Sequence, residues 1–114
     1  MIIKQGPHES INQIKKYNAD QGYHYFEKGT MDFFNSITMG MVFAGRVFIT
    51  SEKFTSRHGD GPRRWSLRYI DDDGSIGTIG DFQRYTEAHE AISDAAEVQS
   101  IIDFKGEYNV NPQA

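Results

Sequence analysis

The 114-residue chain contains no cysteine. Disulfide bridges and thiolate metal sites are therefore excluded, and with them the stapled architecture of small secreted domains. Proline is scarce, at three residues, and no linker, repeat or low-complexity stretch divides the chain. Long apolar runs are missing too: nothing approaches the roughly 20 residues of a membrane span. The opening Met1-Ile2-Ile3-Lys4-Gln5-Gly6-Pro7 lacks the apolar stretch of a signal peptide. We therefore expect a soluble, cytoplasmic protein with no membrane partner. A positive charge balance is also lacking. The formal net charge is −4, which argues against a dedicated duplex-DNA binder with a basic face.

What is present is aromatic. Eight Phe, six Tyr and one Trp can build a core, because each ring buries a large area. The length fits one domain over residues 1–114. Apolar content of 38 % leaves much of the chain to loops and half-exposed sheet.

Periodicity gives the elements. Ser10 with Gln13 fits a capping box. Ile11, Ile14 and Tyr17 recur at helical spacing and Gly22 is a natural stop, so the first helix covers 10–20. Tyr23-His24-Tyr25-Phe26 is short enough to be a strand. Thr30 is placed to cap one helical turn over 30–36, whose Met31, Phe33 and Phe34 read as a core plug. Residues 37–43 and 46–53 should pair as a hairpin about Ala44-Gly45. In the second strand Val47 and Ile49 face one side; Arg46, Phe48 and Thr50 face the other. Apolar groups on both faces suggest a central strand. Residues 53–62 are polar and Gly-rich, hence a loop. Arg64 to Ile70 alternates cleanly, with Trp65, Leu67 and Tyr69 on one face and Arg64, Ser66 and Arg68 on the other. Asp73-Gly74 then turns the chain into a strand ending at Ile79. Thr86 is the expected cap of the last helix. Ala88, Ala91, Ile92, Ala95 and Val98 form its apolar stripe, and it should end near Gln99 or Ile102. The tail, 105–114, reads as irregular. The fold expected is α+β: an antiparallel meander of about four strands, with an N-terminal and a C-terminal helix packed on one face of the sheet.

The polar residues carry little chemistry by pattern. Asp71, Asp73 and Gly74 match spacings of a calcium loop, but its first and last ligand positions fall on Tyr69 and Gly80, so the run reads as a turn. The histidines, at 8, 24, 58 and 89, have no ligand spacing, and no Gly-rich phosphate loop precedes a helix. No metal, no cofactor and no catalytic residues are expected, and the protein is read as non-enzymatic. Two charged surfaces remain. Arg57, Arg63, Arg64 and Arg68 cluster near one strand, and Arg pairs with phosphates, carboxylates and guanine edges. Asp71, Asp72, Asp73, Glu87, Glu90 and Asp94 form an acidic set. The apolar strand face around Phe48 is where a self-contact is to be sought; oligomeric state itself is not readable.

Two resemblances add to this. Arg64 to Tyr69, Asp73-Gly74, Gly80-Asp81-Phe82, Thr86-Glu87-Ala88 and Ala91 together resemble the three-strand-plus-helix layout of integrase-type DNA-binding domains. That resemblance implies a sheet that enters the major groove. Over about two-thirds of the chain, residues 25–36, 46–52 and 80–85 with Ala88 resemble a family of small uncharacterised proteins carried by phages and plasmids. It brings no activity, but implies a setting inside a bacterial cell. In that setting the expected function is stoichiometric binding of a host protein or nuclease complex, as an anti-defence inhibitor of the anti-CRISPR kind. The acidic set would then mimic phosphates. The alternative is a nucleic-acid-binding module using the four arginines.

Overall fold

Ser10 starts the first helix as its side chain predicts. Its Oγ accepts a hydrogen bond from the Gln13 amide at 3.3 Å, and Gln13 Oε1 reaches back to the Glu9 amide at 2.6 Å. In the computed structural model, which describes residues 1–110, the helix that follows is α1 (Ile11–Asp20), preceded by a short strand β1 (Ile2–Ile3). The aromatic segment after Gly22 is not a strand. It is a turn that carries Tyr25 and Phe26 onto Phe48, and it leads into α2 (Lys28–Phe33). Glu27, not Thr30, occupies the start of α2; the Thr30 hydroxyl instead donates to the His24 carbonyl at 2.9 Å.

The sheet has the order β2 (Ile37–Thr38), β3 (Val47–Glu52), β4 (Arg64–Ile70), β5 (Ile76–Ile79), each pair antiparallel. The first hairpin is less regular than expected. Ile37 and Thr38 pair with Ser51 and Thr50, and pairing resumes only at a Phe43–Val47 bridge. Its turn needs positive φ at both Ala44 (51°) and Gly45 (68°), and a Cβ on Gly45 would lie 2.0 Å from the Gly6 carbonyl oxygen. Only glycine fits there. β3 is central as read, and all six of its residues are buried. Asp73-Gly74 turns the chain from β4 into β5, with Gly74 at φ 92°.

The last helix, α3 (Ala88–Lys105), runs past both expected ends and stops at Gly106 in the left-handed conformation. Its cap is Glu87 rather than Thr86. Glu87 and Glu90 form a reciprocal capping box, while the Thr86 hydroxyl donates to Glu90. The expected irregular tail is ordered at first. β6 (Tyr108–Asn109) pairs with β1, and Val110 donates to the Met1 carbonyl. Residues 111–114 of that tail lie outside the described residues.

The helices do not share a face. Val47, Ile49, Leu67, Tyr69 and Ile79 pack with Ala91, Ala95, Val98 and Ile102 of α3. The alternate residues Phe48 and Ile70 pack with Ile11 and Ile14 of α1. The cause is β3, whose apolar residues on both faces demand a cover on each side. Phe48 is therefore fully buried under α1, and no exposed face surrounds it for a self-contact.

Candidate binding site

Strand alternation sends Thr50, Glu52, Arg64, Ser66 and Arg68 to the face opposite α3. α1 covers only the Phe48 and Ile70 end of that face. Over the other end α2 and the turn after β5 meet as two walls. Between them lies a cavity of about 360 Å³ lined by Tyr25, Thr30, Met31, Phe34, Ser36, Glu52, Arg68 and Phe82. This volume lies in the range of small-ligand or anchor-residue pockets.

The floor is a closed polar network. The Glu52 side chain is 2 % exposed and that of Arg68 12 %. Arg68 Nη2 lies 3.3 Å from Glu52 Oε2. Arg68 Nε donates to Thr50 Oγ1 at 3.0 Å and Nη1 to Thr78 Oγ1 at 2.5 Å. Ser66 and Ser36 hydroxyls donate to the two Glu52 oxygens at 2.9 and 3.3 Å. Gln83 seals the edge, its amide donating to Ser66 Oγ at 2.7 Å and its Nε2 to the Glu52 carbonyl at 3.1 Å. A buried ion pair persists only when such bonds complete it. The guanidinium also sits over the rings of Phe82 and Tyr25, 5.1 and 5.9 Å from their centres. Burial, seconded by the Glu52 charge and opposed by Arg68, raises the Tyr25 phenol above its ordinary value. It stays neutral throughout the physiological range.

The walls above this floor are apolar, and they continue outward as a chain of rings. Phe33 meets Phe34 at 4.8 Å, Phe34 meets Phe82 at 6.2 Å, and Phe82 meets Phe54 at 6.2 Å, each near edge-to-face. Phe33 is 80 % exposed, Phe54 59 %, Phe82 40 % and Phe34 37 %. The expected core plug is thus overturned. α2 buries none of its residues, since adjacent rings at 33 and 34 point about 100° apart on a helix and one buried face cannot hold both. The signal was in the sequence: lone phenylalanines at 54 and 82 stand among polar loop residues.

The four arginines do not form one surface. Arg68 is the pocket floor, so the sheet face that an integrase-like domain would turn to a DNA groove is roofed by α2 and Phe82. Arg63 is spent inside the fold, donating to the Asn35 and Ser51 carbonyls, to Ser51 Oγ and to Asn35 Oδ1. The side chains of Arg57 and Arg64 have no hydrogen-bond or ion-pair partner among the described residues. The acidic set is divided as well. Asp71, Asp72 and Asp73 lie beyond the Ile70 end of β4. There Asp72 binds Arg46, and Asp73 accepts from the Ser75 amide and hydroxyl, which hold its carboxyl below the usual range. Glu87, Glu90 and Asp94 belong to the start of α3, which follows Tyr85 at the Trp65 end. At about 3.3 Å per residue, β4 separates the two groups by roughly 17 Å. Asp94 accepts the Tyr85 hydroxyl at 2.7 Å. Among the described residues no group of three or more His, Asp or Glu side chains could hold a metal, and no helix is long and apolar enough to cross a membrane.

Fold and site together define an α+β protein with an aromatic-walled pocket on one side of its sheet. The chain belongs to a family of unknown function, DUF7447, whose model matches residues 10–96. No curated protein and no solved structure matches it. The matched span includes α1, α2, the four-stranded sheet and every residue lining the pocket.

Proposed function

We propose that this is a non-enzymatic binding protein that docks a partner protein on its aromatic face, the partner inserting one apolar side chain into the pocket. The observation that carries the reading is the unbroken chain Phe33–Phe34–Phe82–Phe54 running from the pocket wall into solvent. An exposed, contiguous apolar patch rimmed by polar residues marks an interaction surface. A small ligand would use the cavity and leave Phe33 idle, whereas a protein partner covers both. A nucleobase fits less well, because the polar floor is already satisfied internally and the apolar walls offer a base edge no partner. Catalysis forms no part of this reading, since the Glu52 carboxylate is neutralised by Arg68 and two serines.

Blocking a host nuclease complex is one task such a binder performs, and the setting implied by the phage- and plasmid-borne resemblance suits it. The contact would then be aromatic rather than a phosphate mimic, given the divided acidic set. The test is capture of partners from lysate of the source cell with the tagged protein and with Phe34→Ala and Phe82→Ala variants, followed by reconstitution with the purified partner. The reading expects a defined protein bound by the parent chain and at least tenfold more weakly by either variant. Undiminished capture by both variants would overturn it. So would binding of a single-stranded oligonucleotide at physiological salt that Phe82→Ala removes.

A further inference from the structure

Resting on the docking reading above, we infer that the partner's docking segment is acidic as well as apolar: one large anchor side chain flanked by Asp or Glu. Two arginines whose side chains have no partner among the described residues border the aromatic patch. Arg64 stands directly across from Glu52 in the sheet register, on the pocket face. The Glu52 carboxylate nonetheless turns away from it, to Ser66, Ser36 and Arg68. Arg64 thus keeps its donors free beside a carboxylate that another arginine has taken. Arg57 lies at the tip of a loop closed on the patch itself, because the Gly61 amide donates to the Phe54 carbonyl at 2.7 Å. The tip is shaped by Ser56, whose hydroxyl donates to the Gly59 carbonyl and accepts from the His58 amide, so His58 is presented beside Arg57.

The opposing charges here are mostly occupied. Asp60 is held by Lys53 at 3.2 Å and Asp32 by Lys28. Asp81, next to Phe82, is exposed and is the countercharge at this rim. In a chain of net charge −4, the aromatic patch is therefore bordered by two free guanidiniums. Guanidiniums recognise carboxylates in a paired, planar geometry, and on a rim they set selectivity and association rate more than total affinity.

The experiment is selection of a random dodecapeptide library on the folded protein, with the Phe82→Ala protein used to remove peptides that bind elsewhere. Enriched peptides are then synthesised and titrated against the parent chain and against the Arg57→Glu/Arg64→Glu double variant. We expect an aromatic or large aliphatic residue with Asp or Glu within three positions. We also expect about tenfold weaker binding to the double variant and weaker binding as salt rises. Apolar peptides without acidic flanks, or peptides indifferent to the double variant, would overturn the inference while leaving the docking reading intact. If no peptide prefers the parent over Phe82→Ala, both fall.

Discussion

Glu52 is the residue on which the site turns, and its sequence context concealed it. It ends a strand of β-formers whose pattern gives a carboxylate no role, yet the Ser66–Glu52–Arg68 network buries it. Removing one partner of a buried pair strands the other's charge. We predict that Arg68→Ala destabilises the fold by about 3–5 kcal/mol. The double change Glu52→Met/Arg68→Met should cost clearly less than the two single changes added together, as read by urea denaturation. Arg46 is a second buried cation, tied to the Lys4 and Ile70 carbonyls and to Asp72. It lies near His8, which packs on Tyr17 at 5.3 Å. Burial first, and Arg46 second, lower the His8 pKa from its ordinary 6.5. The unfolded chain therefore takes up more protons than the folded one as pH falls through the region below about 6.5. Stability should decline from pH 7.5 to 5.5, and His8→Gln should flatten that decline. Equal slopes for the two proteins in urea midpoints would exclude the assignment.

At the scale of elements, β3, β4 and β5 were legible, whereas β1 and β6 were not, and α2 was legible only as one helical turn set too late in the chain. β4 alternates residue by residue, so its sequence alone puts Trp65, Leu67 and Tyr69 on one face. α3 was legible from its alanine stripe, and it departs from expectation at both ends, in its Glu87 cap and in the extra turn before Gly106. The start of α2 and the exposure of its rings escaped because six residues offer too few turns for periodicity to act. Its exposed Phe33 differs in energetics from the buried residues of β3. Phe33→Ser should change stability by no more than about 0.5 kcal/mol. Phe48→Ala, at a site sealed between α1 and the sheet, should cost about 3–5 kcal/mol. Thermal or chemical unfolding of the two variants compares them directly. Gly77 was not recognised as special, yet a Cβ there would lie 2.5 Å from the Tyr69 ring. The Tyr69 ring takes the space beside Gly77, its partner in β5, a contact between neighbouring strands that no single-strand pattern encodes.

For the molecule as a whole, the α+β class and the four-strand meander could be read from turns and alternation. The distribution of helices over two faces could not, because it depends on which of two apolar faces each helix chooses. The pocket was hidden for a related reason: it arises where α1 stops short and α2 meets the turn after β5, from distant parts of the chain. Cohesion should follow this layout. Amide exchange should be slowest in β3 and β4, between the two apolar clusters, and fast in α2 and residues 53–62. Protection of α2 equal to that of β3 would contradict the packing described. The β1–β6 pair carries a different consequence. Ile2 lies opposite Asn109, so the two ends of the described chain are within a short peptide of each other. That clasp ties residues roughly 100 positions apart, at a closure cost that grows only slowly with length. Just past it the Gly6 amide donates to the Ala44 carbonyl and the Lys4 carbonyl accepts from Arg46, so the clasp is held at the Val47 end of β3 and leaves the aromatic face clear.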